Sequence, residues 1–127
     1  IAFDVSVPRA RIMEFRKTAI DSVNQDFPYL AVIDFGHIAD GGVHFNLVWP
    51  HAASQAFDAA VVHAVRDRIY ALVVEQFGGS FSAEHGVGPH NALYYQRYTD
   101  VSVKRIAGVI KDTLDPAGLC GTVDFSQ

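Results

Sequence analysis

His37 and His44 bracket the stretch Gly36-His37-Ile38-Ala39-Asp40-Gly41-Gly42-Val43-His44-Phe45-Asn46. Asp-Gly between two alternating segments is a hairpin signal. With Asp40 and Gly41 as the two turn residues, Ala39 faces Gly42, Ile38 faces Val43 and His37 faces His44. The two imidazoles then form a cross-strand pair with Cβ atoms about 5 Å apart. Asn46 lies two residues beyond His44 and shares its face. Ile38, Val43, Phe45 and Leu47 fall on the opposite face, which suits a core. Imidazoles that close can share a metal ion at about 2.0–2.1 Å per nitrogen for zinc, if a third ligand is at hand. The alternative is a pair of half-exposed histidines bonded to water or backbone.

Glu84-His85-Gly86-Val87-Gly88 offers that ligand. It follows a short strand-like segment and reads as a loop, where functional groups concentrate. Glu84 would complete a site of two histidines and one carboxylate, leaving positions open for water or a chelating substrate. His85 would point elsewhere and stay free as a base. The competing reading makes Glu84 a solvated loop carboxylate and His85 a turn histidine bonded to backbone.

Elements must carry these blocks. Ile1 to Val7 alternates and reads as a strand. Ser6 and Pro8 suit a helix entry. Ile12, Phe15, Ala19 and Val23 predict a helix to about Asn24, ended by Phe27-Pro28. Leu30 to Phe35 and Val43 to Val48 read as strands, the second stopped by Pro50. Ala52 to Phe77 reads as a long amphipathic helix carrying Phe57, Val61, Val65, Ile69, Leu72 and Val73, stopped by Gly78-Gly79. Ser80 to Ala83 is a short fourth strand, and Val101 to Leu114 a last helix. The fold class is therefore α+β: a ferredoxin-like β-α-β-β-α-β antiparallel sheet, helices on one face, plus a C-terminal helix.

Composition narrows the function. Half of the residues are hydrophobic and the charge is -4, so a core can form and a basic nucleic-acid patch is disfavoured. No apolar run reaches the ~18 residues of a membrane span. A single cysteine, Cys120, excludes an internal disulfide and a cysteine zinc site. The chain opens at Ile1 and its one methionine is Met13, which suggests a piece of something longer. His51, His63 and His90 read as solvated residues. Tyr94, Tyr95 and Tyr98 read as an aromatic packing cluster, Trp49 as packed under the sheet, and Arg66-Asp67-Arg68 as a solvated helix face.

Phe3-Asp4-Val5-Ser6-Val7-Pro8, the two histidine blocks with Gly78 to Gly88, and Leu114-Asp115-Pro116 occur in that order. Together they resemble the C-terminal domain of FAD-linked oxidases, a family including D-lactate, glycolate and D-2-hydroxyglutarate dehydrogenases within the vanillyl-alcohol oxidase superfamily. The resemblance covers residues 1–127. It implies a substrate and metal domain whose FAD-binding domain lies outside this chain. It also implies oxidation of a D-2-hydroxy acid to a 2-oxo acid by hydride transfer to FAD. His37, His44 and Glu84 would bind a divalent metal, often zinc. His85 would be the catalytic base and Asn46 would hold the substrate. The partner implied is the FAD-binding domain of the same protein, in a cytoplasmic or membrane-peripheral setting, with a homodimer as one arrangement. The chain departs from the family at Gly42, where asparagine is usual, and at Ala2, where lysine is. It also has Leu119-Cys120-Gly121-Thr122 in place of Asn-Pro-Gly-Lys. Two alternatives stand beside this reading. One is a non-catalytic ferredoxin-like module that binds a partner or dimerises, and the other is a metal-free flavin oxidase domain acting on another alcohol.

Overall fold

A computed structural model describes residues 1–51, 56–121 and 123–126. The chain divides into two compact units, Ile1–His85 and Gly86–Gln127. The first holds strands β1 (Asp4–Ser6), β2 (Ala31–Phe35) and β3 (Gly42–Val48), and helices α1 (Ile12–Asp26) and α2 (Ala59–Ala71). The second holds α3 (Ala92–Tyr98) and α4 (Val101–Leu114). The architecture is mixed: a small three-stranded antiparallel sheet in the order β1-β3-β2, with four helices among the described residues.

Alternation along β3 builds the first unit's core. Val43, Phe45 and Leu47 are buried, while Gly42, His44 and Asn46 are half-buried on the other face. Helix α1 returns Ile12, Phe15, Ala19 and Val23 to that core at the predicted spacing. Phe15 meets Phe45 and Phe77 edge-on, with ring centroids 5.9 and 5.5 Å away. Phe3 stands edge-on to Tyr70 of α2 at 5.2 Å. Asp34, half-buried on β2, is paired with Arg16 of α1.

Several expectations are corrected. Ser6 is no helix cap; it lies in β1, and a short 3-10 turn, Arg9–Arg11, leads into α1. The fourth strand is reduced to one antiparallel bridge, Ser6↔Ser80. A Cβ on Gly79 would lie 2.1 Å from the Ser6 carbonyl oxygen, so only glycine lets the chain approach β1 that closely. The predicted start of the long helix at Ala52 lies outside the described residues. Asp58 caps α2, its carboxylate accepting from the Ala60 N–H at 2.8 Å. Phe57 therefore precedes the helix; it is 73% exposed, with its ring 5.4 Å from that of Trp49. The end of α2 runs into one wide π-type turn, Leu72–Gln76. Arg68 is no free surface charge: it pairs with Asp26 and donates to the Ser22 carbonyl at 2.8 Å, tying α2 to α1.

In the second unit, Tyr94, Tyr95 and Gly108 are buried. Helix α3 was not foreseen, although the tyrosine cluster belongs to it. Asn91, just before it, accepts from the Gly88 N–H and donates to the Gly86 carbonyl. Helix α4 has the predicted bounds and is capped by Asp100.

Candidate functional site

The site is built on the half-buried face of the sheet in the first unit. Strand register places Asp4 of β1 directly opposite His44 of β3. On the other side His44 is opposite Phe35, not His37. The two-residue turn is thus replaced by a loop of Gly36–Gly41. The cause is local. Asp40 Oδ1 accepts from the Gly42 N–H at 2.9 Å, and the His37 carbonyl takes the Asp40 and Gly42 N–H groups. These bonds close the loop on itself and withdraw Gly42 from a ladder with Ala39. Ile38 consequently lies in the loop, 65% exposed, not in the core.

His37 still reaches the site, from the loop. Its ring centroid is 6.3 Å from that of His44, and its Nδ1 is 3.5 Å from Glu84 Oε2. Glu84 Oε1 is 2.9 Å from His44 Nε2. One carboxylate therefore stands between the two imidazoles. His85 does not point elsewhere as expected. Its ring stacks on His44 at 5.2 Å, with Nε2 3.9 Å from Glu84 Oε1. Asn46 is on the same strand and face as His44, opposite Ile33 of β2. Together with Ser6, Asp40 and Gly42, the residues Asp4, His37, His44 and Glu84 line a pocket of about 260 Å³.

Asp4 is the residue that the sequence reading missed. Its Oδ2 accepts the N–H groups of Ala83, Glu84 and His85 at 3.2, 2.9 and 2.7 Å. Its carboxyl is subject to burial, which raises the pKa. The His85, Glu84 and Ala83 N–H groups, with the charge of His85, outweigh burial and hold it below the ordinary value. Asp4, His44, Glu84 and His85 each offer one ligand atom within 4.8 Å of the others. Imidazole nitrogens with carboxylate oxygens are a donor set that fits a divalent ion such as zinc. The pocket is somewhat smaller than the roughly 300–1,000 Å³ that drug-sized ligands occupy.

Among the described residues no helix is long and apolar enough to cross a membrane. A D-2-hydroxyglutarate dehydrogenase of Xanthomonas citri pv. viticola is 34% identical over 113 residues, covering 89% of this chain and 24% of the relative. The mitochondrial D-2-hydroxyglutarate dehydrogenase of Rattus norvegicus is 33% identical over 120 residues, covering 92% and 20%. A D-lactate dehydrogenase of Anaerostipes hadrus is 32% identical over 113 residues, covering 89% and 23%. The chain spans about a fifth to a quarter of the length of these relatives. The family model for FAD linked oxidases, C-terminal domain, matches residues 1–122, and the chain belongs to that family.

Proposed function

We propose that residues 1–127 form the substrate- and metal-binding domain of a flavin-dependent enzyme that oxidises a D-2-hydroxy acid to a 2-oxo acid. The observation that carries this reading is Glu84, held between His37 and His44 with His85 stacked beside them. The relatives named for D-2-hydroxyglutarate and D-lactate support the substrate class.

His37, His44 and Glu84 are the proposed ligands of one divalent ion, zinc by preference. Such an ion supplies Lewis acidity that lowers the pKa of a bound hydroxyl. His85 is the base, and its side chain, 67% exposed, is open to an incoming hydroxyl proton. An imidazole suits that task because it titrates near neutral pH. Asn46, one strand repeat from His44, offers an amide to hold the acid's oxygens. FAD supplies the electron sink of the reaction, and relatives four to five times as long as the matched region support its binding mainly outside these residues. On the same reading the β1-β3-β2 order with the Ser6↔Ser80 bridge is a ferredoxin-like sheet with its fourth strand cut short.

The test is elemental analysis and turnover of the intact protein. The wild type should carry about one zinc per chain and oxidise D-2-hydroxyglutarate or D-lactate. His44→Ala should lose the metal, and His85→Asn should keep the metal but lose turnover. An unchanged metal content in His44→Ala would sink the proposal.

A further inference from the structure

We propose that Asp4 is the positioning residue of this site. One of its oxygens ties the Ala83–His85 backbone to β1, and the other faces the imidazole of His44, 3.7 Å from its Nδ1. The inference rests on the metal-binding reading and extends it to a residue outside the ligand and base roles.

Two observations carry it. The first is the clamp. Glu84 and His85 are side chains of an exposed loop, and a loop gives them no fixed direction of its own. Three consecutive N–H groups of that loop converge on Asp4 Oδ2, and the Ala83 N–H also reaches the Asp4 carbonyl at 3.1 Å. Bonds from N–H to an ionised carboxylate are among the stronger ones a loop can make. The Asp4 side chain is only 9% exposed, so water competes little for them.

The second is the geometry around His44. Asp4 and His44 are direct partners across β1 and β3, so their side chains share one face and cannot drift apart. Asp4 Oδ1 is 3.7 Å from Nδ1, while Nε2 is turned toward Glu84. A histidine that ligates through Nε2 carries its proton on Nδ1. Metal-binding histidines regularly give that second N–H to a carboxylate, which fixes the ring. Asp4 stands where that acceptor is needed. Three donors fill Oδ2, so Oδ1 is the oxygen left to face His44, and we assign Asp4 to supporting the ligands.

Zinc titrated calorimetrically into the intact protein and its variants tests this. Asp4→Asn keeps a carbonyl oxygen for the loop but offers Nδ1–H an amide nitrogen that cannot accept. It should weaken zinc binding about 10- to 100-fold, while the metal-free protein still folds but melts somewhat below the wild type because the charge-assisted bonds to the loop are weakened. Asp4→Ala, which also releases the loop, should weaken it further. In the zinc-loaded wild type, the His44 Nδ1–H should exchange with water more slowly than the ring N–H of exposed His63, as read by ¹H–¹⁵N spectra. Zinc affinity in a folded Asp4→Asn within about twofold of wild type overturns the proposal. Should that variant not fold, a His44 ring proton exchanging as fast as that of His63 in the wild type overturns it instead. A wild type that takes up no zinc sinks the metal reading itself, a result distinct from a wild type that binds while Asp4→Asn matches it.

Discussion

Glu84 is the residue on which the proposed ligand set turns. Its carboxylate lies between the two imidazoles and faces both, and its side chain is half exposed, so an ion can reach it. Glu84→Gln keeps the shape and removes the charge. Zinc affinity should fall by more than the roughly 10–100-fold that outer partners are worth, measured by competition with a chromophoric chelator. His37 is the weaker arm: it reaches Glu84 from a loop, at 3.5 Å, and its side chain is 66% exposed. The pairing of His37, His44 and Glu84 was legible in the sequence because their types and blocks were unusual. The route by which His37 arrives was not, because Asp40 bonds Gly42 in a way that spacing does not reveal. Asp4 was missed for a related reason. An aspartate in a strand looks ordinary until the register sets it against His44 and the loop folds back onto it.

At the scale of elements, the β1 edge depends on Gly79. Adding a methyl there drives it into the Ser6 carbonyl, so Gly79→Ala should cost about 1–3 kcal/mol, read by urea unfolding, and loosen the chain leading to Glu84. In the second unit the turn after α4 is held by Asp115. The Lys111 ammonium, then the Cys120 and Leu119 N–H groups, lower its pKa from 3.8 to about 2. A lowered carboxylate stabilises fully above its ordinary pKa and loses that effect as pH falls through the folded value. Amide protection at Leu119 and Cys120 should therefore hold at pH ~5 and fade from about pH 4 to about pH 2. Asp115→Asn should leave those amides poorly protected throughout. Helix α4 was readable in the sequence because Asp115-Pro116 ends it; that Asp100 caps its start is shown by the structure alone. The fourth strand is cut short because Ser80 alone forms a bridge to β1, while Ala83 reaches the Asp4 carbonyl from a loop. Helix α3 escaped notice because seven residues are too few for periodicity to show.

For the whole molecule, the first unit's aromatic core sets stability. Phe15 is fully buried against Phe45 and Phe77, so Phe15→Ala should cost about 3–5 kcal/mol by thermal or urea unfolding. The relatives are four to five times as long as the matched region. We therefore expect the 127 residues alone to bind zinc but retain no flavin absorbance after desalting, whereas the intact protein stays yellow. A flavin that co-purifies with residues 1–127 would overturn that division of labour.

The loop that bears His37 is stitched to the corner between β1 and α1. The Val7 N–H donates to the Gly41 carbonyl at 3.0 Å, and an Arg9 guanidinium N–H donates to the Ala39 carbonyl at 3.2 Å. Lifting the loop away from this corner breaks the Val7 bond. The deuterium uptake of a single amide, distant in sequence from every histidine, thus becomes a gauge of how often that arm of the site swings away.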